Sequence, residues 1–265
     1  MTIVKAADGC ELFYERTGSG PPVVLIPGLG GDGRFWAGVV ARLAGRFDLI
    51  VVDHRGAGRS ARPPGPYSIG GIARDVLAVL DAEGIHSAHL VGHSTGGAIV
   101  QTLALDAPAR SRSLVISGSW DRSDARFRAA FEARAALLDA GLIAPYQQLT
   151  HVFGYDPAWL DAHEVELQKA VDNAGVALAP LAVTAARVRM LLDFDRSQEL
   201  HRITQPTLII GARDDALVPI HHAHRLTALI SHAAFSEFQG AHFHPRTDPV
   251  PFADRVAAFL DETGR

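Results

Sequence analysis

Cysteine is almost missing from this 265-residue chain: Cys10 stands alone, so no disulfide can form within it. A lone thiol fits a reducing compartment, because disulfide frameworks need cysteines in pairs. Long apolar runs are also missing. No stretch reaches the roughly 18 residues that a membrane span needs, and the N-terminus has no basic stretch ahead of an apolar signal core. A soluble, cytoplasmic protein is expected. Positive charge is not in surplus either: 25 Lys and Arg stand against 29 Asp and Glu, a formal net charge of −4. A nucleic-acid partner would need a clustered basic face, and the loose group Arg122, Arg126, Arg128 and Arg134 reads as a solvated helix face. No internal repeat or low-complexity segment is present.

What remains is ordinary globular composition, 48% hydrophobic and 20% charged. The length suits one large domain, or a core with an inserted subdomain. Leu12–Tyr14 reads as a strand, and Val23–Ile26 as one buried on both faces, because it is wholly apolar between prolines. A glycine-rich turn, Gly28 to Gly33, follows, then helical spacing over Phe35–Leu43 and a buried strand over Asp48–Val52. Pro63, Pro64 and Pro66 forbid regular structure in the next loop. Ile69–Leu80 has the apolar face of an amphipathic helix. Ala88–Val91 and Leu114–Ser117 read as strands around a helix at Thr95–Leu105. Strand and helix therefore alternate, which implies a parallel sheet.

The alternation stops at Trp120. Helical patterns over Phe127–Leu138, Trp159–Val171 and Leu181–Leu192 follow, with no clear strand. Alternation resumes with a strand at Thr207–Ile210, a helix at His221–Ile230, a strand at Phe235–Phe238 and a helix at Phe252–Leu260. The expected organisation is an α/β core, residues 1–120 and 201–265, carrying a helical cap at residues 121–200. Ligand sites in such sheets lie beyond the carboxyl ends of the strands, where a cap would cover them.

Two motifs compete for the chemistry. Gly28-Leu29-Gly30-Gly31-Asp32-Gly33 matches G-x-G-x-x-G, and Asp53 ends the next strand near where a ribose-binding acid would stand. Alternatively, the same turn presents a backbone N–H to an oxyanion. Gly92-His93-Ser94-Thr95-Gly96 matches G-x-S-x-G between a strand and a helix, the setting of a nucleophile elbow. An elbow also requires an acid and then a base later in the chain. The loop Gly211 to Pro219, with Asp214 and Asp215, follows one strand. Gln239-Gly240-Ala241-His242-Phe243-His244 follows the next. A serine needs a neighbouring imidazole to take its proton, and the imidazole needs a carboxylate to fix its tautomer.

With these pieces together, the chain resembles the α/β-hydrolase family over nearly its whole length. The resemblance rests on Pro27-Gly28-Leu29-Gly30-Gly31, the Asp53-His54-Arg55-Gly56 to Ser60 loop, the elbow, the Asp215 loop and Gly240-Ala241-His242. It implies an α/β-hydrolase fold with a mostly parallel eight-stranded sheet, and it overrules the dinucleotide reading, leaving Asp53 a structural role. Within the family, Leu25 to Gly31 with Phe35-Trp36, Gly118-Ser119-Trp120 and Tyr155 to Leu160 are similar to aminoacrylate (carbamate) hydrolases of pyrimidine catabolism. Pro63 to Ile69 and Asp75 to Leu80 are similar to 3-oxoadipate enol-lactonases.

The resemblance also assigns roles. Ser94 is the expected nucleophile and His242, directly after Gly240-Ala241, the expected base. For the acid, Pro206 nine residues before and Pro219 four residues after favour Asp215. Gly211, three residues before Asp214, favours Asp214; two markers outweigh one, and Asp215 is the expected acid. Leu29 and Thr95 N–H are the expected oxyanion donors. His93 should pack beneath the turn, and His221, His222 and His224 should lie on a surface helix without a metal. Trp120, Trp36, Phe127, Phe153 and Trp159 are candidate pocket residues. Arg122, Arg126 or Arg187 is a candidate for a substrate carboxylate. No cofactor is expected, and the expected partner is a small-molecule substrate, with a homodimer left open.

The expected activity is hydrolysis of a small ester, lactone, carbamate or enamine acid. Two alternatives share the scaffold: a non-hydrolytic enzyme (C–C cleavage, cofactor-free oxygenase or perhydrolase) and a low-turnover receptor.

Overall fold

Period-two burial organises the molecule. In the strand Pro22–Ile26, Val23 and Leu25 pack with residues of the first and last helices, while Val24 and Ile26 pack into the larger cluster on the opposite face. Successive side chains of a strand point to opposite faces, so a wholly apolar strand must be covered on both sides. The computed structural model describes residues 2–178 and 180–263.

In chain order the elements are β1 (Thr2–Lys5), β2 (Glu11–Gly18), β3 (Pro22–Ile26), α1 (Ala37–Leu43), β4 (Asp48–Val52), α2 (Ile69–Ala82), β5 (Ala88–His93), α3 (Thr95–Asp106) and β6 (Ser111–Ser117). Among the described residues, the α-helices that follow are α4 (Ala125–Asp139), α5 (Ile143–Gly154), α6 (Pro157–Ala162), α7 (Glu164–Asp172), α8 (Ala174–Ala177) and α9 (Leu181–Arg189). The chain then returns to β7 (Thr207–Ala212), α10 (His221–Leu229), β8 (Ala234–Phe238), α11 (His244–Thr247) and α12 (Pro249–Thr263).

The eight strands form one sheet in the order β1-β2-β4-β3-β5-β6-β7-β8. β1 and β2 pair antiparallel, as do β2 and β4, and every other pair is parallel. The eight-stranded, mostly parallel sheet flanked by helices is the expected α/β-hydrolase fold. β3 and β5 are neighbours, and β5, β6, β7 and β8 follow in order, so the loops after β3, β5, β7 and β8 open at one edge. Among the described residues, no helix is long and apolar enough to cross a membrane.

Between β6 and β7, among the described residues, there are helices and an isolated bridge between Arg122 and Asp195, but no named strand. Their boundaries differ from the sequence pattern in instructive places. The helix expected over Trp159–Val171 is interrupted at His163, whose ring stacks on Trp159 with centroids 3.8 Å apart. α5 has no counterpart among the helical patterns expected here, and Pro145 lies near its start. It stands in the first turn, where a missing N–H costs the helix nothing. α4 and α6 start where Asp124 and Asp156 accept hydrogen bonds from Phe127 N–H and Trp159 N–H, at 2.8 and 2.9 Å.

Candidate active site

The turn after β5 is built by what its glycines lack. A Cβ on Gly92 would lie 2.2 Å from Gly96 O, and one on Gly96 would lie 2.0 Å from Ile26 O. Both are impossible contacts, so only glycine lets α3 start this close to β3 and β5. Ser94 sits between them at φ 56° and ψ −119°. A non-glycine residue held in a sparsely populated region stores strain, which points to function. Its N–H donates to Ser117 O at 2.8 Å, tying the turn to the end of β6.

His242 follows β8, and Asp215 follows β7. Both are almost wholly buried, and His242 Nδ1–H donates to Asp215 Oδ2 at 2.6 Å. Asp215 Oδ1 accepts from Leu217 N–H and Val218 N–H at 2.9 and 2.7 Å, so both carboxylate oxygens are engaged. Asp214 is exposed and makes no such contact. Of the two acids offered by the sequence, the one that meets His242 is therefore Asp215. With the proton on Nδ1, the Nε2 of His242 is left as an acceptor. The ring reaches the elbow beside Gly118, where an added Cβ would lie 3.4 Å from His242 Cε1. Gly118 directly follows Ser117, the hydrogen-bond partner of Ser94.

His93, the elbow's variable residue, is packed between Phe35 and His242, with ring centroids at 5.1 and 4.7 Å. Its Nδ1 meets Ser117 Oγ at 3.1 Å, and burial drives its pKa well below the ordinary histidine range. His244 is also buried, with its pKa pushed down to about 4 by desolvation, and it packs on Phe238 and Phe252. Both rings therefore stay neutral beside His242.

The glycine-rich turn after β3 approaches Ser94 closely. A Cβ on Gly28 would lie 3.2 Å from Ser94 Cβ. Leu29 N–H and Thr95 N–H, among the described residues, donate no hydrogen bond. Asp53 is consumed elsewhere. Its Oδ1 accepts from Gly33 N–H at 2.7 Å, and its Oδ2 accepts from Arg59 N–H at 2.8 Å. The turn that matches a dinucleotide motif is thus stitched to its supposed ribose acid.

The aromatic candidates separate. Trp120 and Phe127 pack on each other with centroids 4.5 Å apart, both enclosed. Phe153 is half-buried against the same cluster. Trp36 packs with Phe252 in the cluster of α1 and α12. Trp159 is stacked between Tyr155 and His163. Phe243 carries the contact between the helical segment and the His242 loop, which sequence reasoning missed. Its N–H donates to Gly154 O at 2.8 Å, and a Cβ on Gly154 would lie 2.0 Å from its ring. The signal available was the single glycine at the end of α5.

Among the described residues, Asp124, His221 and His222 form the one group whose ligand atoms would suit a metal ion. Asp124 already caps α4, and its other oxygen lies 2.8 Å from His221 Nε2. His222 is fully buried rather than on the surface, because it faces the core from the first turn of α10. Of the candidate arginines, Arg122 and Arg126 are exposed, and Arg126 donates to Ala216 O at 2.9 Å. Arg187 is buried.

Residues 21–151 match the alpha/beta hydrolase fold family. A protein of Azorhizobium caulinodans named "Putative carbamate hydrolase RutD" is 39% identical, covering 95% of this chain and 96% of its own. A hydrolase structure from Pseudomonas aeruginosa superposes with a TM-score of 0.87 at 27% identity, covering 98% of this chain and 97% of the other. The enol-lactonase of Burkholderia xenovorans superposes with a TM-score of 0.90 at 24% identity, covering 98% and 100%, and shows the shared fold. The chain belongs to the alpha/beta hydrolase fold family. Its enzyme class, a hydrolase, is the one expected from the sequence.

Proposed function

We propose that this hydrolase is a serine enzyme in which Ser94 is the nucleophile, His242 the base and Asp215 the acid that orients it. The observation that carries the reading is the buried His242–Asp215 hydrogen bond, 2.6 Å long, at the edge where the strained Ser94 turn stands. Asp215 fixes the imidazole tautomer that leaves Nε2 free to accept the Ser94 proton. Ser94 Oγ then attacks the substrate carbonyl. Leu29 N–H and Thr95 N–H hold the resulting oxyanion, each donor contributing about 3 kcal/mol to the transition state. His242 returns the proton to the leaving group, and water releases the acyl group by the reverse sequence.

The substrate class proposed is a small ester, lactone, carbamate or enamine acid. The name of the Azorhizobium caulinodans relative supports the carbamate end of that range. The helices between β6 and β7 act as a cap over the sheet edge. Phe243 on Gly154 supports this, because it joins α5 to the His242 loop.

The test is covalent labelling with a fluorophosphonate and mapping of the modified residue by mass spectrometry. Modification at Ser94 that disappears in Ser94→Ala is the expected result. Absence of labelling in the wild-type protein would overturn the nucleophile assignment.

A further inference from the structure

Several of the more enclosed arginines in this protein meet a carboxylate. Arg55 meets Asp75, Arg59 meets Asp53 and Arg225 meets Asp121. Arg187 on α9 differs. It is only 3% exposed, and among the described residues no Asp or Glu pairs with it. Its Nη2 donates a long hydrogen bond, 3.4 Å, to His54 Nδ1, and its Nε has no partner. Burial lowers its pKa to about 10, so the group stays charged at neutral pH. Arg134, the other arginine buried to this degree, also has an unpartnered Nε, but the rest of its guanidinium is better met. Its guanidinium lies 4.9 Å from the Tyr146 ring centre and 5.3 Å from that of Phe131, and its Nη2 donates to Thr150 Oγ1 at 2.9 Å. Burying an ion costs several kcal/mol unless a partner offsets it.

The place where Arg187 ends is equally specific. A Cβ on Gly31 would lie 2.5 Å from its Nη2, and one on Gly56 would lie 2.7 Å from its Cδ. Two glycines at positive φ, +67° and +80°, therefore clear its path. Gly31 closes the turn that begins at Gly28, its N–H donating to Gly28 O at 2.9 Å. The other end of that turn touches Ser94. The ends of such a turn lie within ~7 Å of each other. One turn thus has the nucleophile at its first residue and an unpaired guanidinium at its last, with Leu29 N–H between them.

We propose that Arg187 is the anion-binding residue of this site and that the substrate is a short carboxylic acid whose scissile carbonyl lies a few bonds from its carboxylate. This rests on the serine-hydrolase reading above and adds the substrate's charge to it. A guanidinium binds a carboxylate through parallel N–H donors in a fixed plane, so it sets the direction from which the carbonyl enters the oxyanion turn. His54 holds the guanidinium from behind. Its Nδ1 accepts from Arg187, so its own proton is on Nε2, and desolvation and the guanidinium keep the ring neutral.

The experiment compares p-nitrophenyl acetate with mono-p-nitrophenyl succinate in the wild type, Arg187→Met and Arg187→Lys. The wild type should favour the acid-bearing ester in kcat/KM. Arg187→Met should lower the succinate-to-acetate ratio about 30-fold or more, mostly through KM, and Arg187→Lys should restore part of it. No preference in the wild type, or an unchanged ratio in Arg187→Met, would overturn the proposal. A second measurement needs no turnover. Succinate should raise the melting temperature of the wild type and not that of Arg187→Met, and an equal rise in both would also overturn it. Fluorophosphonate labelling of the same three proteins separates the two readings, because Ser94 should react in all of them whatever anion Arg187 binds.

Discussion

At the sheet edge the buried carboxylates arrive with their partners already in place. Asp215 has one oxygen on His242 and the other on two backbone N–H groups, and Asp53 is divided between Gly33 and the Arg59 loop. In the helices between β6 and β7, Arg187 is buried with no carboxylate partner among the described residues. The first region is preorganised, with the strain at Ser94 held by glycines and by the end of β6. The second leaves charge for something outside the chain to complete. In the proposed function, the sheet edge sets the chemistry and the helices set what is admitted. The two meet where Phe243 lies on Gly154.

The sharpest way to break this comparison is at the sheet edge. Ser94→Ala should lower kcat about 10⁴- to 10⁶-fold and leave the melting temperature close to the wild-type value, both measured on the purified protein. Asp215→Asn should cost about 10⁴-fold in kcat, because the amide favours the wrong imidazole tautomer. Asp214→Asn should stay within a few-fold, since Asp214 is exposed and away from His242. Comparable losses in the two variants would remove the distinction between the acids.

A smaller effect is expected where the regions touch. Gly154→Val adds atoms where the Phe243 ring already stands. Overpacking of this kind typically costs about 1–3 kcal/mol, measured here by denaturant unfolding. If α5 positions the His242 loop, kcat/KM should also fall, by about 10-fold on any ester. A stability loss with unchanged kcat/KM would show that the two regions are mechanically independent.

The sequence exposed the sheet edge more fully than the helices, for a physical reason. Strands buried on both faces and glycines pressed against a backbone leave little choice of residue, so Val23–Ile26, the elbow and the Gly240-Ala241-His242 turn are readable locally. The proline spacing favours Asp215 over Asp214 in sequence, but one residue of register decides which carboxylate turns inward, and the structure shows it directly as the Asp215–His242 hydrogen bond. β1 was not legible, since it is a largely exposed edge strand with little apolar pattern. The helices were read less well. α5 carries Pro145 in its first turn and was not expected, and the break at His163 falls at a ring stack that no periodicity shows. Arg187 was one of three candidate arginines in sequence, and only burial separated it from Arg122 and Arg126.

The smallest effect concerns acid. Around the sheet, desolvation lowers the pKa of His54 and His93 well below 6.5 and takes His89, His222 and His244 to about 4. In the helices between β6 and β7 only His151, among the described residues, is lowered in this way. A histidine depressed in the folded state favours folding fully above its unfolded pKa. As pH falls from about 6.5 towards 4, the unfolded chain takes up the proton before the folded chain does, and that stability is lost. The core should therefore weaken across this window. His244→Phe, which keeps a ring against Phe238 and Phe252, should reduce the loss by about 1–2 kcal/mol between pH 6.5 and 4.5, since a tenfold difference in proton affinity between the folded and unfolded chain is worth about 1.4 kcal/mol. Urea unfolding at several pH values measures it. His151→Phe, whose histidine is lowered without reaching the depth of His244, should change the slope less, and a reversed order would mean that the helices set the acid limit of the fold.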